Sequence, residues 1–513
     1  MKQLFATPAF FATANPNHGR PARLAGGVLR ILLSALLLLL LLPDLWAQTS
    51  LYTQITLGSN HAAALRADGT LWAWGYNGNS QLGNGTTTGR TMPAQVAAPI
   101  AALPGTRWSG VTSGSSHMLA LRTDGTLWGW GYNTYSQLGD GTITTRVSPV
   151  LIPVPAAAAA GTTWTQVSSR EYHTLALRSD GSLWAWGYNV YGQLGDNTTT
   201  TRPLAVAVTT PAGAAAGTTW TQITTGRAHS LALRSDGSLW AWGYNNYGAL
   251  GDGSTTTRAV PTAVPTPAGA AAGTRWTSIS GGDDFSLALR SDGTLWAWGY
   301  NAFGQLGDAS TTLSRVPIAV ITPGTVGAGT RWTQVAAGTN HASALRSDGS
   351  LWAWGYNNYG QLGDNTTANR STPVRETSNN TWSMLTADQN NTLAVQTGTG
   401  LIFGTGYNGY GQLGTGSTNN TLVFVASGAP VLSARAAATA PSLTVYPNPA
   451  HGRCQLPVLP AATRLRLVDC QGRVVRTQAA ARVLPLEGLA AGLYLLTVQA
   501  PGLAPSTARL MVE

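Results

Sequence analysis

One hydrophobic pattern returns along this chain at a constant interval. The dipeptide Leu-Trp begins at Leu71, Leu127, Leu183, Leu239, Leu295 and Leu351, each 56 residues after the last. A seventh, more divergent copy, LIFGTGYNGYGQLG, follows at 401–414 with one residue inserted near its hairpin. Within the third copy, WTQV (164–167), TLALR (174–178), LWAWG (183–187) and PLAVAV (203–208) read as four strands. Alternation in LWAWG puts Trp184 and Trp186 on one face, with Leu183 and Ala185 on the other. The Asp-Gly of SDGS predicts a two-residue hairpin turn needing positive φ.

Both faces of the central strands are apolar, so each sheet must be covered on both sides by neighbours. Two tryptophans burying roughly 200 Å² each contribute on the order of 10 kcal/mol per copy before entropy. A fixed period of this size marks solenoids and propellers. Four antiparallel strands in seven copies predict an all-β fold, a seven-bladed β-propeller over residues 50–427. An open solenoid needs polar caps, and neither Leu51 nor Val425 adjoins one.

Composition changes this picture little. The chain has 513 residues, 61 of them Gly, with 10% charged residues and a net charge of +10. The excess sits at the ends: between residues 49 and 440 there are 19 basic and 16 acidic residues. No basic stripe runs there, which excludes binding along a phosphate backbone and so a nucleic-acid partner. At the N-terminus basic residues precede ILLSALLLLLLLP (31–43), and LWAQ offers cleavage after Ala47. Residues 1–47 read as an export signal peptide, with an apolar run too short to span a bilayer. No transmembrane span is expected in the mature chain.

After a linker (428–442) the texture shifts to YPNPAHGRCQLPV, LRLVDCQGRVV, LEGLAAGLYLLTV and a closing RLMVE. These predict a small β-sandwich over 443–513. Both cysteines, Cys454 and Cys470, lie here, and their spacing leaves pairing open.

Two resemblances follow. The pattern G-x-x-H-x-x-A-L-x-x-D-G-x-L-W-x-W-G-x-N-x-x-G-Q-L-G resembles the regulator of chromosome condensation repeat, and residues 338–363 match it almost throughout. The resemblance implies a seven-bladed propeller. The nucleotide-exchange activity of that family's best-known member is not implied, because no matching wedge insertion is present. Secreted bacterial members that bind other proteins are the nearer precedent. The tail, with YPNP, D-x-x-GR-V and L-x-AG-x-Y-x-L-x-V in order, resembles the type IX secretion C-terminal sorting domain. That implies export to the cell surface or beyond, with the secretion machinery as a partner. Glu513 and Cys470 depart from its pattern.

Candidate chemistry is sparse. His61, His117, His173, His229 and His341 occupy equivalent positions, with Phe285 and Asn391 in the other copies. A metal ion needs ligand nitrogens within about 2.1 Å, whereas facing sheets lie roughly 10 Å apart. Each histidine is therefore expected to bond to backbone in its own blade, and no metal or cofactor is expected. Six acids are the hairpin Asp, and five follow Leu-Gly as turn residues. Glu171, Asp283, Asp284, Glu376 and Asp388 break the pattern. Asp283 and Asp284 are adjacent, so their side chains diverge, a poor arrangement for paired acid/base work. No nucleophile motif or phosphate loop appears, and the chain is read as a non-enzyme. The enzyme alternative would rest on Glu171, Asp283, Asp284 or Asp388.

The copies differ most inside the G-x-x-H turn, which reads Glu171-Tyr172, Arg227-Ala228 and Asp283-Asp284 in the third to fifth. Strand order places this turn on the same face as GYNxxGQLG, which adds Tyr135, Tyr191, Tyr247, Phe303, Tyr359 and Tyr410. Aromatics beside varied charges have the composition of a contact surface. The expected ligand is an extracellular protein, with a glycan as the alternative.

Overall fold

The computed structural model describes residues 51–99, 101–324, 329–428, 450–456, 463–469, 474–479, 482–499 and 506–513. The signal peptide, nearly all of the linker and Cys470 lie outside the described residues.

Each copy builds one four-stranded antiparallel sheet from consecutive strands, seven in all. In blade 3 the strands are Trp164–Ser169, His173–Arg178, Leu183–Gly187 and Arg202–Ala207. The ring runs from Tyr52 in blade 1 to Ala426 in blade 7. The Leu-Ala face of one blade meets the Trp face of the next, as the alternation requires. Leu175, Leu183, Ala185 and Leu194 of blade 3 pack against Trp220, Ile223, Trp240 and Trp242 of blade 4. No strand is shared where the ring closes. Leu393, Ile402 and Leu413 of blade 7 pack on Ile55, Leu57 and Trp74 of blade 1, and Trp74 Nε1 donates to the Gln412 carbonyl at 2.9 Å.

The hairpin between the second and third strands has three residues, not the two expected. Arg178 N donates to Ser182 O at 3.0 Å and Gly181 N to Arg178 O at 2.9 Å. Gly181 carries positive φ (76°), while Asp180 does not. Asp180 instead uses its carboxylate, accepting from Ser182 N at 2.9 Å and Ser182 Oγ at 2.6 Å. Ser182 Oγ in turn accepts the Trp184 indole N–H at 2.9 Å. The motif D-G-S/T-L-W thus satisfies one indole in each of blades 1 to 6. In blade 7 the inserted residue lengthens this hairpin, so Ile402 rather than Leu401 pairs with Val395.

The C-terminal unit has a four-stranded sheet in the order Val474–Ala479, Arg464–Val468, Gly492–Gln499, Ser506–Val512. A two-stranded sheet, Arg453–Gln455 with Val483–Pro485, shares one core with it through Cys454, Leu465, Leu467, Leu484, Tyr494 and Leu496. Burial pushes the Cys454 thiol up to about 11. Among the described residues no helix is long and apolar enough to cross a membrane.

Candidate functional site

The G-x-x-H turn and the GYNxxGQLG segment meet on one face. Tyr188 N donates to the Tyr172 carbonyl at 2.9 Å, and the equivalent bond recurs in the other blades. The repeated polar residues hold this face together. Asn189 Oδ1 accepts from Leu194 N at 2.9 Å, its amide donates to Thr198 O and Thr200 O at 3.1 Å, and Gln193 Oε1 accepts from Tyr191 N at 3.0 Å. Asp196 caps Thr198 and pairs with Arg202 at 2.8 Å, the turn role expected of acids after Leu-Gly.

The glycine of G-x-x-H is explained by the ring beside it. A Cβ on Gly226 would lie 2.1 Å from His229 Cε1, and one on Gly282 would lie 2.0 Å from Phe285 Cε1. The histidines are fully buried but do not bond within their own blades as expected. Nε2 of His173, His229 and His341 meets Ser230 Oγ, Ser286 Oγ and Thr392 Oγ1 of the next blade at 3.0–3.1 Å. Those hydroxyls donate onward to the carbonyls of Gln193, Ala249 and Gln361 at 2.8 Å. Nε2 therefore carries the hydrogen, and the ring is neutral. Burial lowers all five histidines to about 3.

Two copies lack the glycine: blade 3 has Arg170 and blade 7 has Asp388. The fold brings them together. The first strands line a central channel, and Arg170 reaches across it from blade 3 to pair with Asp388 at 2.6 Å. It also pairs with Asp283 of blade 5 at 3.3 Å and donates to the carbonyls of Gly281 and Ala337 at 2.9 and 3.0 Å. Arg170 was missed as a candidate, although its place in the glycine column marked it. Arg227 holds Asp284 of the next blade through both carboxylate oxygens at 2.9 and 3.0 Å. Asp283 and Asp284 thus diverge, one toward the axis and one toward Arg227.

Six charges gather at the channel mouth, two basic and four acidic. Burial raises Glu171 to about 7, aided by the nearby Asp283 and Asp388. Asp283 is raised to about 6, again by burial, with Arg170 pulling the other way. Burial likewise raises Asp388. Burial also disfavours the Arg170 charge, but the surrounding carboxylates outweigh it and hold its pKa above the ordinary value. A carboxyl near 7 can hold or release a proton at neutral pH. Among the described residues no group of three or more His, Cys, Asp or Glu could hold a metal ion.

Around the charges runs a belt of aromatic rings, packed edge to face between blades. Tyr135 meets Tyr188 at 5.3 Å, Tyr191 meets Tyr244 at 4.9 Å, and Tyr247 meets Tyr300 at 5.0 Å. Phe303 with Tyr356, Tyr359 with Tyr407, and Tyr410 with Tyr76 continue it at 4.9–5.3 Å. These rings therefore pack between blades, yet Tyr135, Tyr191, Tyr247 and Tyr410 remain 37–44% exposed. Tyr172 joins the belt to the charges. Its ring lies 4.6 Å from Tyr135, next to the half-buried Glu171.

Seven four-stranded blades, six of them locked to a neighbour by an indole, define a repeat-built β-propeller. An RCC1-like domain model matches residues 39–327 and 170–445, so the chain belongs to the RCC1-like family. A secretion system C-terminal sorting domain matches residues 444–513, and the chain is exported to the cell surface or the extracellular space by type IX secretion. The ultraviolet-B receptor UVR8 of Arabidopsis thaliana is 29% identical over 369 residues, 71% of this chain and 79% of that protein. Human WBSCR16 superimposes with a TM-score of 0.60 at 23% identity, over 70% of this chain and 94% of that one. Yeast RCC1 (Prp20), solved bound to Kap60, gives 0.59 at 20% identity, over 78% and 88%. The two structural likenesses establish the fold.

Proposed function

We propose that the exported propeller is a binding scaffold for an extracellular protein and does no chemistry of its own. The contact surface is the face where Glu171, Tyr172, Arg227 and Asp284 surround the channel mouth inside the aromatic belt. The carrying observation is the junction of Tyr172 with Tyr135 beside Glu171, where exposed aromatic area adjoins a half-buried carboxyl. Aromatic anchors rimmed by charge are the usual make-up of interface centres. Asp283 and Asp388 serve as anchors for Arg170 and stand behind this surface. A glycan, the alternative ligand, would have to stack on ring faces, whereas much of each ring is turned edgewise to its neighbour.

The test is affinity capture from envelope and culture extracts with the full exported chain, run beside a glycan array. The comparison chain carries Glu171→Ala, Tyr172→Ala and Arg227→Ala. A protein retained by the first and lost by the second supports the reading. Equal capture by both, or binding to the array alone, overturns it.

A further inference from the structure

The aromatic belt has one missing member. In blades 2 to 7 the second aromatic of the GYNxx segment leans on the first aromatic of the following blade. Blade 1 carries Asn79 at that position, so the place against Tyr132 of blade 2 is not taken by a ring. Tyr76 does not fill it. Its hydroxyl lies over Gly78, where a Cβ would stand 2.1 Å away, and its ring pairs with Tyr410 on the opposite side. Tyr132 is half-buried and bordered by Tyr135 at 6.3 Å and by Tyr172 at 6.5 Å. Both of these rings lie on the blade 3 side of Tyr132, where Tyr172 packs on Tyr135 at 4.6 Å, so the unfilled place is on the blade 1 side, next to Asn79.

We propose that the gap between Asn79 and Tyr132, at the junction of blades 1 and 2, is the notch into which a partner protein inserts an aromatic side chain. The other six junctions show what the site accepts, a ring edge to face at 4.9–5.3 Å. An aromatic side chain offers the largest apolar contact at small entropic cost, and edge-to-face pairing orients it. The side-chain amide of Asn79 can donate to or accept from the inserted residue's backbone.

This inference rests on the proposed binding face, but its test is separate. The probes are N-acetyl-tyrosinamide and N-acetyl-leucinamide, titrated into the full exported chain by saturation-transfer NMR. Saturable binding of the tyrosine amide is expected, and its loss in Asn79→Tyr, which fills the notch from within. Tyr247→Asn opens the same gap beside Tyr300 and should add a second site. Should Asn79→Tyr fail to fold, Tyr132→Ala removes the floor of the notch and must abolish binding. Absence of saturable binding to the unmodified chain, its persistence in Asn79→Tyr or Tyr132→Ala, or equal binding of the leucine amide overturns the notch. A partner lost in the Glu171, Tyr172 and Arg227 variant but untouched by Asn79→Tyr overturns the notch while leaving the proposed face standing.

Discussion

Phe285 replaces histidine in blade 5, and the position that would receive its hydrogen bond, one blade on, is Ala342. Where His173, His229 and His341 stand, the following blade supplies Ser230, Ser286 and Thr392 instead. In these blades donor and acceptor match, which spares a buried polar group from being orphaned, whereas His61 is followed one blade on by Met118 and finds no hydroxyl there. Ser286→Ala should therefore destabilise the fold by about 1–3 kcal/mol by stranding His229 Nε2. The double variant His229→Phe with Ser286→Ala copies the Phe285 and Ala342 pair and should recover most of that loss in urea unfolding. Arg170 is the other decisive residue. Arg170→Met leaves Asp388 and Asp283 buried without their counter-charge and should cost about 3–5 kcal/mol, part of which Asp388→Asn restores. These residues differ in how readable they were. The hydroxyl partner lies 57 residues downstream of His173 and His229, 52 downstream of His117 and 51 downstream of His341, and becomes visible only once blades are known to be neighbours. Arg170 and Asp388 are the two breaks in a column of glycines, a signal that needs no knowledge of the fold, although only Asp388 was singled out, as an acid outside the repeat pattern.

At the scale of the element, the repeated letters are mostly positional devices. Gly226 has ordinary φ, so what requires glycine is space, taken by the His229 imidazole and by the Gly282 carbonyl, which would stand 2.7 Å from a Cβ. Gly226→Ala drives a methyl into His229 and should lower stability by about 1–3 kcal/mol through overpacking, measurable by thermal unfolding. Period-two alternation located the strands because it also dictates which face buries tryptophan. Turn geometry was less legible. Asp-Gly fits both a two-residue and a three-residue hairpin, and what selects the latter is the carboxylate of Asp180 turning back onto Ser182. The aromatic belt was half legible as well. Its residues could be placed on one face, but their packing against the next blade depends on the angle between sheets.

Across the whole molecule, the fold commits five histidines to a neutral, buried state. Their unfolded pKa is near 6.5 and their folded one about 3, so below pH 6.5 the unfolded chain takes up protons that the folded chain refuses. Stability must fall as pH drops through that window. Glu171 and Asp283 act the other way. Held at about 7 and about 6 when folded, they gain protons before the unfolded chain does, and acidification toward their ordinary values near 4 favours the fold. The histidines outnumber them, so the midpoint of thermal unfolding should be highest near neutral pH and drop steeply below about pH 6. Calorimetry between pH 4 and 8 checks this, and a flat profile would mean the histidines are not neutral in the folded ring. Five copies that keep the glycine turn and two that trade it for Arg170 and Asp388 divide the labour of the molecule. Shared residues close the ring, and the departures shape one face.

That division is tested most directly by site-specific photo-crosslinking of the exported chain on the cells that secrete it. One chain carries the photoreactive residue at Tyr172, within the variable turn, and a second carries it at Ser179, in the hairpin on the opposite face. A discrete crosslinked protein is expected from position 172 and none from position 179. Crosslinks from position 179 alone would contradict it.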